Sequence, residues 1–366
     1  MTKLQRIKQE KFLLVALLVA VAAYAVEHAI LSAGRAVTLA AAFVFVATII
    51  LASTRVARHA EVLAVKVGDP YGTMILTLSA VLVEVVVLAI MMQGAASPTL
   101  VRDTIYAAVM LDINGIIGLA ALIGGLRHGE QPYNDDSSRT YSVMILTAMG
   151  ISMIVPEFVP RPSWQLYSAF TICAMIALYT LFLRLQVGRH SYFFSYAYPR
   201  ADHRGGPPER HPEADRPALP SILIILAGVV VIGALAEVMS AALNVSLKGS
   251  GAPPALMAVI VAGISAAPEI LTAMRAALAN RMQSVVNIAM GASLSTVILT
   301  VPVMEAIALY TGQPFVMAMT PVQTVMVAIT LVVAAINLND GMTNAIEGMT
   351  HFILFATFVM LTVIGL

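Results

Sequence analysis

Hydrophobic positions along the chain gather into eleven long runs divided by short polar breaks. The first follows a basic start (Lys3, Arg6, Lys8, Lys11), covers Phe12–Val26 and continues to about Ala33. The others are Ala36–Ser53, Thr73–Gln93, Thr104–Leu126, Tyr141–Val159, Trp164–Leu183, Ser221–Leu243, Ala252–Leu278, Val285–Leu309, Phe315–Ile336 and Ile346–Leu366. A run such as Thr73–Gln93 is long enough to cross a bilayer at ~1.5 Å per residue. The pattern predicts an all-α polytopic membrane protein of eleven helices, several interrupted at Gly124-Gly125, Pro156, Pro268 and Pro302. Such breakers are tolerated where neighbouring helices or a wet cavity satisfy the freed backbone groups. The basic start and Phe12–Val26 also have the form of a secretory leader, with Ala23-Tyr-Ala25 resembling a cleavage site. The reading set beside it is a retained first span with Glu27 and His28 near its outer end.

The polar breaks carry an orientation. With a cytoplasmic N-terminus, seventeen Lys and Arg fall in inner segments and only Arg35, Arg102, Arg161 and Lys248 in outer ones. That bias places the C-terminus outside, and the expected location is an inner, cytoplasmic membrane. The longest polar segment carries six prolines, His190, His203 and His211. It reads as a flexible cytoplasmic linker, with a metal-sensing loop as the alternative. The expected organisation is a tail and first helix (1–35), a five-helix repeat (36–187), the linker (188–220) and a second five-helix repeat (221–366). Five spans and the linker separate the repeats, so they enter the membrane from opposite sides, as inverted-topology repeats do in secondary transporters.

Composition narrows the function classes. Of 366 residues 59% are hydrophobic and 11% charged, against about 25% charged in soluble domains. The net charge of +1 gives no argument for nucleic acid, and the single cysteine, Cys173, excludes a disulfide framework and a zinc set. The helices account for nearly every residue, so no soluble catalytic domain, enzymatic activity or cofactor is expected. Membrane lipid and inorganic cations are the expected partners, with a homo-oligomer left open.

Against this background Glu84 stands out, near the middle of the run Thr73–Gln93. An ionised carboxylate at the midplane costs at least ~2.5 kcal/mol and is a functional-site hypothesis by default. The second run starts at position 36 and the seventh at 221; the same offset of 185 carries Glu84 onto Glu269. Pro268 can free a backbone carbonyl one turn earlier. Arg275, six residues on, points to another helix face and can snorkel to water. The two acids are neutralised either by protons, because burial and mutual repulsion penalise two charges, or by a hard divalent cation. Competition at one alternately exposed site is an antiport mechanism. Calcium takes ~6–8 oxygen ligands, for which Ser79, Asn114, Asn287, Ser293 and Ser295 are candidates. The structural alternatives are interhelical hydrogen bonds for the two Asn and helix packing for the three Ser. Asp112, two positions from Asn114 and on another face, is a candidate for the pathway. Glu27, Glu237 and Glu305 lie near outer span ends and are expected to be solvated; His28 and His351 have no metal spacing.

At these residues the sequence resembles the cation/calcium exchanger superfamily, most closely its bacterial calcium/proton antiporter branch of the ChaA type. The first repeat carries Arg58-His-Ala-Glu61 through Gly68-Asp-Pro-Tyr-Gly72, then Ser79 and Glu84. The second carries Pro268-Glu269, Asn280-Arg-Met282, Asn287-Ile-Ala-Met-Gly291 and Thr300-Val-Pro302; the last loop has Asp340-Gly-Met-Thr-Asn344-Ala-Ile-Glu347-Gly348. The resemblance implies eleven helices in two inverted repeats after a lone first one. It also implies that Glu84 and Glu269 bind cation and proton, with Glu61, Asp340 and Glu347 as further pathway candidates. The superfamily often has Asn three residues before each glutamate; here Val81 and Ala266 stand there. The expected function is export of cytosolic Ca²⁺ in exchange for protons, with Na⁺ and K⁺ as further cargo. A sodium/calcium exchanger and a cation channel are the alternatives.

Overall fold

The computed structural model describes residues 10–67, 71–93, 97–187, 191–194, 196, 218–247, 251, 253, 255–312 and 315–366. Among them the apolar runs form eleven helices: α1 (Lys11–Ser32), α2 (Arg35–Val67), α3 (Tyr71–Gln93), α4 (Leu100–His128), α5 (Asp135–Phe158), α6 (Trp164–Val187), α7 (Ala218–Leu247), α8 (Ala255–Leu278), α9 (Met282–Thr311), α10 (Pro321–Asn337) and α11 (Ala345–Ile364). Nine are long and apolar enough to cross a membrane; the apolar part of α3, Thr77–Met92, and α10 are shorter. Most of the segment 188–220, including His190, His203 and His211, lies outside the described residues, as does Gly68-Asp69-Pro70.

α2–α6 and α7–α11 form two five-helix inverted repeats. α2 and α7, the first helix of each, make the most extensive pairing, and α1 lies on both through the buried stripe Ala16, Ala20 and Ala23. α4 packs on α11 as its counterpart α9 packs on α6. The interruptions repeat too. α4 carries a π-helical segment at Met110–Ile117 and α9 one at Thr296–Thr300; the offset of 185 overlaps them. A π segment opens the regular backbone ladder and re-aims side chains, often at functional sites.

α2 continues well beyond the apolar run that ends at Ser53, through Thr54–Val67. Its polar end is held from outside: Arg55 Nη2 lies 2.6 Å from Glu10 Oε1, just before α1, and α7 packs alongside. At the end of the bundle where α4, α8 and α10 finish, three loops are tied together. Gln131–Pro132 pairs antiparallel with Met342–Thr343. Gln131 Nε2 also donates to the Ala277 carbonyl (3.0 Å) and to Asn280 Oδ1 (2.9 Å). Asn280 turns the chain from α8 into α9 at φ +54°, a left-handed conformation that Asn tolerates better than most residues. Gly348 lets α11 approach α4 closely: a Cβ there would run into the backbone of Ala121 and Leu122.

Candidate functional site

α3 and α8 each bring one glutamate to a cavity of about 590 Å³ that is also lined by α2, α4 and α9. Glu84 is buried, at 4% exposure. Thr296 on α9 donates its hydroxyl to Glu84 Oε2 at 2.9 Å, and Oε1 has no partner. Asp112, on the π segment of α4, is 2% exposed; Ser293 donates to its Oδ2 at 3.0 Å and Oδ1 has no partner. Glu269 lines the same cavity and is partly exposed. Within α8, Pro268 lacks the N–H that would bond the carbonyl one turn back, so a backbone acceptor is freed beside Glu269.

Three carboxylates thus share one cavity, and among the described residues no ion pair reaches any of them. Nor, among those residues, are three His, Cys, Asp or Glu side chains gathered closely enough to hold a metal ion by themselves. Hydroxyls, freed carbonyls and water have to complete any coordination shell. Arg58, Glu61 and Arg275 also line the cavity and are exposed, which marks its mouth.

The structure sorts the sequence candidates. Ser79 and Ser295 line the cavity and donate to the carbonyls of Ile75 and Gly291, each at 2.7 Å, which leaves their oxygens free to accept. Ser293 sits behind Asp112 as its donor. Asn287 lines the wall, yet both ends of its amide are engaged. Its Nδ2 donates to the Phe194 carbonyl (2.8 Å) and its Oδ1 accepts from Gln283 Nε2 (2.9 Å). Phe194, at the start of the linker segment, packs its ring against Tyr141 and Phe182 at centroid distances of 5.4 and 5.6 Å.

Asn114 is placed away from the acids. It points to the opposite face of α4, where its Nδ2 donates to Thr330 Oγ1 (2.7 Å) and its Oδ1 meets His351 Nδ1 (3.0 Å). Asp340 and Glu347 also lie apart, in the turn before α11 and in its first turn. Asp340 Oδ1 accepts from the Met342 N–H and Glu347 Oε1 from Asn344 Nδ2, each at 3.0 Å. Thr296 escaped sequence reasoning; its only signal is a hydroxyl beside Ser295 in the middle of an apolar run. The expectation that Glu305 is solvated is wrong. It is 2% exposed, because α6 covers that face of α9 and Ser168 donates to its Oε1 at 3.3 Å.

The family model of sodium/calcium exchanger proteins matches residues 37–188 and 220–364. The chain belongs to that family. It is 33% identical over 276 residues to the sodium-potassium/proton antiporter ChaA of Escherichia coli (strain K12), covering 75% of each chain. A Ca²⁺/H⁺ antiporter of Synechocystis is 25% identical over 246 residues, covering 63% of this chain and 65% of that one. In fold it is similar to the crystal structure of the Ca²⁺/H⁺ antiporter YfkE, with a TM-score of 0.72 at 16% identity, over 96% of this chain and 99% of the other. As a member of this exchanger family the chain is an integral membrane transporter of inorganic cations rather than an enzyme.

Proposed function

We propose that the chain exchanges calcium, and also sodium or potassium, for protons by alternating access at Glu84, Asp112 and Glu269. One observation carries this reading: three carboxylates line one cavity with no ion pair to any of them among the described residues, and two of them, both buried, have an unpartnered oxygen. Such a set is stable only when protons or a cation supply the missing charge. Both cannot do so together, so arrival of the cation releases protons and arrival of protons releases the cation. Ser79, Ser295, Thr296, the carbonyl freed by Pro268 and water complete the shell on demand. Sodium and potassium are included because the relative ChaA bears them in its name.

The two repeats, 36–187 and 221–366, supply one glutamate each, and rocking of one against the other exposes the pair to alternate sides. With the N-terminus cytoplasmic and the C-terminus outside, the mouth bearing Arg58, Glu61 and Arg275 opens to the cytoplasm, which makes this an inward-open state. Proteoliposomes holding an imposed pH gradient test the reading, with Ca²⁺, Na⁺, K⁺ and Mg²⁺ added in turn. Addition of Ca²⁺ is expected to dissipate the gradient. Glu84→Gln and Glu269→Gln each lose roughly 30-fold or more in exchange, the consequence of removing a buried charged partner worth about 2–5 kcal/mol. Wild-type exchange in either variant sinks the assignment. A calcium flux driven by sodium with no proton movement establishes sodium/calcium exchange instead.

A further inference from the structure

The central acids do not account for every buried carboxylate. Glu305 on α9 is 2% exposed, its Oε1 accepts from Ser168 at 3.3 Å, and its Oε2 has no partner. It lies nine residues beyond Thr296, ~14 Å along the helix at 1.5 Å per residue, on the side away from the cavity mouth. The elements packed on this part of α9 are α6 and α3. α6 carries Tyr167, Cys173, Tyr179 and Arg184; Tyr167 gives its hydroxyl to the Ile151 carbonyl at 2.7 Å. α3 carries Glu84. Among the described residues no Lys, Arg or His forms an ion pair with Glu305. A carboxyl in that setting holds a proton or goes without a partner for its charge.

Two more buried hydroxyls stand at or against this stretch of α9, one of them between Thr296 and Glu305 in sequence. Thr300 ends the π segment of α9 and Thr104 lies on the part of α4 that packs against that segment. Both are fully buried, and both hydroxyls are without a partner. A hydroxyl can accept one proton while giving up its own.

We propose that Glu305, held by Ser168, is a proton-holding site in the half of the membrane remote from the cavity mouth, and that it exchanges protons with the central acids past Thr300 and Thr104. The proton leaves one carboxyl oxygen, each hydroxyl on the way takes one and releases one, and a central carboxylate receives the last; only O–H bonds are made and broken. The proposal rests on the proton-coupled reading above. The competing role for Glu305 is a permanently protonated residue that joins α9 to α6.

The test uses the full chain in proteoliposomes, recording cation-driven proton flux while the pH is varied on one side at a time. Glutamine keeps the shape of a protonated carboxyl but cannot release the proton. Glu305→Gln is expected to retain the wild-type half-saturating cation concentration. Its exchange should slow on the order of 100-fold, the low end of what a positioned proton-transfer group contributes. The dependence on remote-side pH should vanish while that on mouth-side pH stays. Wild-type rate and pH profiles on both sides in Glu305→Gln overturn the inference and leave the exchange mechanism standing. Absence of proton movement in the wild type overturns the exchange mechanism itself. If Glu305→Gln does not fold, Ser168→Ala serves: it is expected to move the midpoint of the remote-side profile, and an unmoved midpoint overturns the inference.

Discussion

Asp112 and Asn114 lie two residues apart on one π segment and have opposite fates. Asp112 faces the cavity with one oxygen bonded to Ser293 and the other bare. Asn114 faces α10 and α11 with its amide nitrogen on Thr330 and its oxygen against His351 Nδ1. An amide oxygen accepts, so His351 carries its proton on Nδ1 in this contact. Both groups are buried in the membrane interior, where a polar atom without a partner is costly. The difference lies in who supplies the partner. Around Asn114 other helices do, and the result is an interhelical joint. Around Asp112 only Ser293 does, and in the exchange proposed above cargo or a proton supplies the rest. On that proposal, an unpartnered carboxylate oxygen facing the cavity, rather than polarity, separates the transport site from the scaffold.

The sharpest way to break this contrast is Asp112→Asn, which keeps the shape and the Ser293 bond but removes the charge. Cation half-saturation is expected to rise roughly tenfold, less than for a glutamate variant, since a hydrogen bond to a charged group is worth about 1.5–3 kcal/mol. Isothermal titration on the purified protein measures it. An unchanged affinity makes Asp112 scaffold and collapses the comparison. The converse substitution is Asn114→Ala, which strands Thr330 and His351 without their shared partner. It should cost about 1–3 kcal/mol of stability, read as a lower midpoint of thermal unfolding in lipid, with cation affinity unchanged. Lost affinity at unaltered stability returns Asn114 to the ligand shell.

The same contrast explains what could be read from the chain. Eleven apolar runs, their two-repeat order and Glu84 with its mate Glu269 were legible because membrane solvation acts on composition and length, and both are local properties. Asp112 could be flagged as an acid at depth, but its value depends on the π segment that turns it to the cavity. No local pattern encodes that turn. Asn114 and Ser79 looked equivalent as polar residues in apolar runs; only the packing of α10 and α11 on one side, and the cavity on the other, tells them apart. Glu305 was misread because its distance from a span end says nothing of whether α6 covers it.

Glu10 extends the comparison outside the membrane, to an acid whose partners the protein supplies in full. Arg55 approaches it at 2.6 Å and His59 Nε2 at 3.1 Å, while His59 Nδ1 lies 3.2 Å from Ser221 on α7. Partial burial by itself pushes the Glu10 carboxyl up. The hydrogen bond and charge of Arg55, then those of His59, outweigh burial and hold it below its ordinary 4.5. A depressed carboxyl stabilises the fold above its unfolded value and loses that contribution as pH falls through the folded one. Glu10→Gln is therefore expected to unfold more easily than wild type at neutral pH, by no more than about 1 kcal/mol for such a pair. The gap should close as pH drops below 4.5. Thermal unfolding of both proteins across that range checks the sign; a gap that widens toward acid overturns it. Cation affinity should not move, because Glu10 has nothing left to offer a cation. Arg55 and Phe12 nevertheless line the cavity. A shift in affinity with Glu10→Gln would therefore mean that this latch holds the mouth open, and that a saturated cluster can serve transport after all.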